Sequence, residues 1–242
     1  KDGALICLHD LTLERTTDAA DVFPERGRLE RSADGVLSRW HASDFTLSEI
    51  RALDAGSWFG AGFRGARVPT LAEAIEVASG RAGIFPETKA PEVYGSLGLD
   101  MERLLLAELT RHGLVDSRRG ARTPVVIQSF SAESLRILGE LGSEHPRLLL
   151  VDELPRSAEG LARIVDFATG IGPSKRLLME DTGFVARAHG AELEVFPWTF
   201  RSDAPEPFGS VEDEMSYFLY DLGVDGLFTN NPDLFPRSPG SS

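Results

Sequence analysis

Cysteine is almost absent. Cys7 stands alone among 242 residues, so no intramolecular disulfide can form. It sits inside an apolar run and reads as a buried structural thiol rather than a nucleophile. No run of roughly 18 apolar residues occurs, which leaves no candidate for a membrane-spanning helix. Cations are scarce too. Lys and Arg number 25 against 38 Asp and Glu, a net charge of −13, which argues against the basic stripes of a nucleic-acid-binding surface. No strand-like run near the start opens onto a glycine-rich phosphate loop, which argues against a doubly wound nucleotide-binding sheet. The chain begins on Lys1 rather than Met and shows no basic-then-apolar signal segment. It opens on the turn signal Lys1-Asp2-Gly3, as a fragment or a trimmed chain would.

What is present is a series of apolar runs that end in polar residues. The run at 4–8 is unbroken and ends in His9-Asp10, which predicts a strand covered on both faces, as in a parallel sheet. Ile84-Phe85 leads to Glu87 and Lys89, and Pro91 stops the strand. Residues two apart on a strand share a face, so Glu87 and Lys89 should point into one space. They form either a plain ion pair or a divided site, with Glu87 on a metal and Lys89 on an anionic substrate. Further strands are predicted at 125–130 with Gln128, at 147–151, at 167–172 before a Gly-Pro stop, at 194–200 with Trp198, and at 225–230 with Thr229-Asn230.

Helices are predicted between them. Thr70 and Glu73 form a capping box for a helix that Gly80 stops, and Thr46 with Glu49 forms another. Helical periods follow at 97–112, from Ser131, at 158–165, at 175–189 and at 211–222. Seven strands alternating with helices predict an α/β parallel sheet, and the polar strand ends favour a (β/α)8 TIM barrel whose first strand precedes Lys1. Residues 1–237 read as a single domain, 13–69 as an irregular insertion beside its mouth, and 238–242 as a disordered tail. Trp58, Phe59 and Phe63 either cap the mouth or make the insertion's small core.

The motif order resembles the glycerophosphodiester phosphodiesterases, the longer GlpQ-like branch in particular. The match starts at Lys1-Asp2-Gly3, Leu8-His9-Asp10 and Leu13-Glu14-Arg15-Thr16-Thr17-Asp18. It continues through Phe45-Thr46-Leu47-Ser48-Glu49-Ile50, Val68-Pro69-Thr70-Leu71-Ala72-Glu73, Ile84-Phe85-Pro86-Glu87-Thr88-Lys89-Ala90-Pro91 and Gln128-Ser129-Phe130. It closes with Gly170-Ile171-Gly172-Pro173, Val195-Phe196-Pro197-Trp198-Thr199-Phe200-Arg201 and Val224-Asp225-Gly226-Leu227-Phe228-Thr229-Asn230-Asn231-Pro232. Asn230 replaces the commoner Asp.

The resemblance implies a PLC-like phosphodiesterase barrel that hydrolyses glycerophosphodiesters to glycerol 3-phosphate and an alcohol with a divalent cation, Ca²⁺ or Mg²⁺. It implies that His9 is one of two catalytic histidines, Glu87 one of three metal carboxylates, and Lys89 the lysine on the substrate phosphate. Gln128 and Trp198 are candidate substrate contacts. The family's His-Arg-Gly motif and Glu-x-Asp pair are expected upstream of Lys1, so residues 1–242 alone are expected to be inactive and poorly soluble. The family scheme has the glycerol hydroxyl attack first, giving a cyclic phosphate that water opens.

Such chemistry suits these residue types. A phosphodiester is an anion whose charge must be neutralised for attack, and a leaving alkoxide needs a proton, which His9 would supply. The partner expected is a small glycerophosphodiester, with no nucleic acid and no transmembrane segment. Relatives are often exported, so a periplasmic or secreted location is favoured. The alternatives are a phospholipase D-like lyase on the same barrel and a non-catalytic remnant of the fold. Asp10 is expected to orient local backbone. His41, His112, His145 and His189 read as structural or solvated.

Overall fold

The computed structural model describes residues 1–33, 35–115, 121–205 and 207–236. The chain divides into two units, one of residues Lys1–Ile84 and Lys89–Pro124, the other of Phe85–Thr88 and Val125–Ser242. The expected tail at 238–242 lies outside the described residues.

The first unit holds helix α1 (Ala19–Val22), strands β1 (Arg28–Ser32) and β2 (Gly35–Arg39), and helices α2 (Leu47–Ile50), α3 (Leu71–Ala78), α4 (Pro91–Ser96) and α5 (Met101–Arg111). Both predicted capping boxes form. Thr46 accepts from Glu49 N at the start of α2, Thr70 accepts from Glu73 N at the start of α3, and each Glu returns to its cap. The helix expected over 97–112 starts later. Pro91 opens α4, Gly98 adopts φ 78°, and Asp100 caps α5 by accepting from Arg103 N at 3.0 Å. A left-handed φ suits glycine and ends a helix, so one period becomes two helices.

The run at 4–8 departs from expectation. It makes one antiparallel bridge, Ile6 to Thr70, with Cys7 N donating to Pro69 O and Leu71 N to Leu5 O. Ile6 and Leu8 pack on a core while Cys7, between them, is exposed. One covered face therefore replaces the expected two, and Cys7 is not a buried thiol. An unbroken apolar run does not tell whether both faces are covered.

That core consists of Leu13, Ala19, Trp40, Ala42, Phe45, Ile50, Leu53 and Val68, all within the expected insertion. The segment is thus organised around its own apolar centre. Trp40 Nε1 donates to Phe23 O at 2.7 Å, and the Arg26 guanidinium lies 4.0 Å from the Phe45 ring centre. The antiparallel hairpin β1–β2 was not foreseen, because its strands are polar and largely exposed.

Trp58, Phe59 and Phe63 lie outside this core. They are exposed and pack edge to face on each other, with centroids 5.6 and 5.2 Å apart. Asp54 holds their loop by accepting from the amides of Gly56, Ser57 and Gly65. Gly56 is required there, since a Cβ would sit 1.9 Å from Phe63 O. Residues 60–65 do carry the G-x-G-x-x-G spacing. They lie between α2 and α3 with no strand leading in, so the spacing is not a dinucleotide loop.

The second unit is a parallel sheet in sequential order. Its strands are β3 (Ile127–Ser129), β4 (Arg147–Val151), β5 (Gly170–Pro173) and β6 (Glu194–Val195). Helices α6 (Ala132–Glu140), α7 (Ala158–Val165), α8 (Lys175–Glu180), α9 (Phe184–Gly190) and α10 (Val211–Ser216) accompany them. Bridges extend the ladder at both ends: Glu87 pairs with Gln128, Ser174 with Trp198, and Phe200 with Thr229. Phe85, in the first segment of this ladder, meets Phe196 and Phe228 near its last, with centroids 6.0 and 5.1 Å apart. The sheet therefore curls so that its ends face each other across an aromatic interior.

Several boundaries shift. Residue 167 follows α7, and β5 runs on through Pro173, which pairs with Val151. Gly170 permits the close approach of β4 and β6, since a Cβ would lie 2.8 Å from Leu148 Cδ1 and 2.9 Å from Glu194 O. The helix expected at 175–189 breaks between α8 and α9. That expected at 211–222 ends as a π-helical turn over Tyr217–Asp221. The last expected strand is reduced to the bridge at Thr229. On α8, Lys175 Nζ lies 2.7 Å from the buried Glu214 carboxylate of α10. No helix among the described residues is long and apolar enough to cross a membrane.

These packing contrasts give a stability prediction. Phe45→Ala, at a site with no exposure, should cost about 3–5 kcal/mol. Phe59→Ala, at 69% exposure, should cost under about 1 kcal/mol. Chemical denaturation of both variants checks this, and equal losses would contradict the placement of the core.

Candidate active site

The segment Phe85–Thr88 positions Glu87 by strand alternation. Phe85 points to the aromatic interior. Thr88 points the other way, where its hydroxyl lies 2.9 Å from Ser134 Oγ on α6 and its carbonyl accepts from Ser129 Oγ at 2.8 Å. Glu87 therefore shares the interior face with Phe85, and its Oε1 is buried. Gln128, its bridge partner, donates Nε2 to Phe85 O at 3.2 Å and so fastens the backbone that presents Glu87.

Trp198 is placed further along the same sheet. Its indole N–H donates to Gly172 O at 2.8 Å, and its ring meets Phe130 edge to face at 5.7 Å. Phe130 lies two residues beyond Gln128, hence on the same face. Within this unit the structure thus brings together Glu87 and Gln128, and Trp198 with Phe130. Phe130 was quoted in a sequence motif but not singled out; its place two residues after Gln128 was the available signal.

His9 and Lys89 belong to the first unit. Lys89 is half-buried and precedes Ala90, which takes the left-handed conformation (φ 44°, ψ 53°) before Pro91 starts α4. The His9 side chain is 79% exposed, and its Nδ1 lies 2.7 Å from Asp10 Oδ1. The other Asp10 oxygen accepts from Arg15 Nε. The Arg15 guanidinium, with the help of His9, holds the Asp10 carboxyl down to about 2. An ionised carboxylate can only accept, so Nδ1 carries the proton of that bond and Nε2 is left as the other working nitrogen. Asp10 therefore engages side chains, not the local backbone as expected. The neighbouring acid and an arginine five residues on were the sequence signal.

The remaining histidines match their structural reading. His41 pairs with Glu30, His112 with Glu108 and His189 with Asp225, and His145 is buried.

The model of the glycerophosphoryl diester phosphodiesterase family matches residues 1–234. A glycerophosphodiester phosphodiesterase of Bacillus subtilis is 32% identical over 248 residues, covering 98% of this chain and 72% of that protein. The chain belongs to the glycerophosphoryl diester phosphodiesterase family. An Arabidopsis thaliana glycerophosphodiester phosphodiesterase is also 32% identical, over 95% of this chain and 73% of its own length. Among solved structures, an Oleispira antarctica phosphodiesterase in complex with the product sn-glycerol-3-phosphate superposes with a TM-score of 0.70 at 25% identity, over 95% of this chain and 77% of that one. A Silicibacter pomeroyi structure, at TM-score 0.67 and 20% identity over 97% and 76%, agrees in fold. The fold is the α/β TIM-barrel class of this family.

Enzymes of the family generally use divalent cations. Among the described residues, no three of His, Cys, Asp and Glu stand close enough to hold a metal ion. The buried Glu87 carboxylate is a hard oxygen donor suited to be one ligand, and the described residues do not complete a set around it.

The Asp10 cluster predicts a titration. Its carboxyl should protonate near pH 2, and the stability it lends should be present above the ordinary value of about 3.9 and lost as pH falls towards 2. Carbon NMR of the Asp10 carboxyl, alone and with Arg15→Gln, measures this. A midpoint near 4 in the unaltered chain would contradict the arrangement.

Proposed function

We propose that this chain carries the phosphodiesterase domain of an enzyme that hydrolyses glycerophosphodiesters to sn-glycerol 3-phosphate and an alcohol. The observation that carries this is the 32% identity to a glycerophosphodiester phosphodiesterase across 98% of the chain. The domain would span residues 1–237, with 13–69 as its insertion.

The side-chain roles follow from chemistry. Breaking the bond between phosphorus and the leaving oxygen puts negative charge on that oxygen. His9, protonated on Nε2 with Nδ1 tied to Asp10, gives it a proton and is left neutral. Lys89 meets the non-bridging phosphate oxygens as a cation. Glu87 offers one oxygen to a divalent cation, Ca²⁺ or Mg²⁺, which when bound neutralises charge on the phosphate. Gln128 steadies the backbone that presents Glu87, and Trp198 with Phe130 offers an apolar wall to the substrate. Net hydrolysis adds one water, its oxygen to phosphorus and its hydrogen to the alcohol.

The test uses the full chain as its gene encodes it, with a glycerophosphodiester and either cation, followed by phosphorus NMR. Free sn-glycerol 3-phosphate is expected, and His9→Ala should lower turnover by about 10²–10⁴-fold. A cyclic phosphate that accumulates as the end product would favour the lyase reading. Unchanged turnover in His9→Ala would overturn the acid role.

A further inference from the structure

We infer that Asp10 is a positioning residue for His9, and that Arg15 anchors Asp10 in that task. The inference rests on the proposed acid role of His9. The His9 side chain is mostly exposed, and an exposed imidazole with no partner would rotate about two side-chain torsions. Here one ring nitrogen is bound to Asp10 Oδ1 at 2.7 Å. A carboxylate held by one contact could itself swing. The second Asp10 oxygen is occupied by Arg15, so both oxygens are committed to different partners. Arg15 has a support of its own, since its guanidinium carbon lies 5.9 Å from the centre of the Trp58 ring. That ring is packed edge to face on Phe59, in the loop clamped by Asp54.

The series His9, Asp10, Arg15, Trp58 thus runs from a reactive nitrogen to a rigid loop, entirely within the first unit. Its chemical consequence is specific. With Nδ1 donating to Asp10, only Nε2 can serve the leaving oxygen, and the ring plane is fixed when it does so. The carboxylate also favours the imidazolium form that an acid needs at the start of bond breaking. This gives the exposed aromatic loop a role that neither capping nor core packing explains.

A positioning role acts only through His9, so it should matter only when the leaving group needs a proton. Turnover of the full chain is measured on two glycerol phosphodiesters, one of an alkyl alcohol and one of p-nitrophenol, which leaves readily without protonation. His9→Ala serves as reference. Asp10→Asn should lower kcat on the alkyl ester by roughly tenfold or more, short of the ~10²–10⁴-fold of the acid itself, with little change in KM. On the p-nitrophenyl ester the loss should fall to about twofold or less. Arg15→Gln leaves His9 and Asp10 in place and should show a smaller loss with the same dependence on leaving group. Equal losses on both esters in Asp10→Asn, beside a leaving-group-dependent His9→Ala, would overturn the positioning role alone. A His9→Ala variant that loses equally on both esters would overturn the acid reading and the positioning role with it.

Discussion

Two-residue alternation along Phe85–Thr88 is the constraint on which the candidate site depends. Thr88 is committed outward, because its hydroxyl and carbonyl are bound to Ser134 and Ser129. Phe85 is committed inward, against Phe196 and Phe228. Glu87 has no independent choice: a strand that satisfies both neighbours must aim its carboxylate to the interior. A slip of one residue would bury Thr88 among rings and press Glu87 on α6, so packing and hydrogen bonding select the same register.

The first unit solves a different problem. Its insertion has few regular elements, yet it gathers eight buried residues around Phe45 and leaves a second aromatic group outside. The inner group fixes the chain path that carries Ile6 and Leu8, and so the position of His9 just beyond them. The outer group reaches His9 by way of Arg15 and Asp10. Polar contacts at the surface thereby gain a rigid backing, which single exposed ion pairs generally lack.

Much of this was legible in the residues. The capping threonines Thr46 and Thr70 mark helix starts correctly because their bonds are local. The strand Arg147–Val151 and the helix Ala158–Val165 have the expected bounds, since their patterns contain no breaker. What was hidden depended on partners distant in sequence. The hairpin Arg28–Arg39 has no apolar alternation to announce it, as Leu29 and Val36 are exposed. Cys7 could not be seen to face outward without the core that takes Ile6 and Leu8. Asp10 looked like a backbone ligand until the fold brought Arg15 back to it. Phe130 gained meaning only when Trp198, far along the chain, packed on it.

The account stands on Glu87 being aimed inward as a cation ligand rather than as packing. Calorimetric titration with Ca²⁺ and Mg²⁺ of the full chain and of Glu87→Gln tests this most directly, because the amide keeps the shape and removes the charge. The account predicts a sharp fall in metal affinity with an unchanged melting profile. Equal affinity in the two proteins would contradict it.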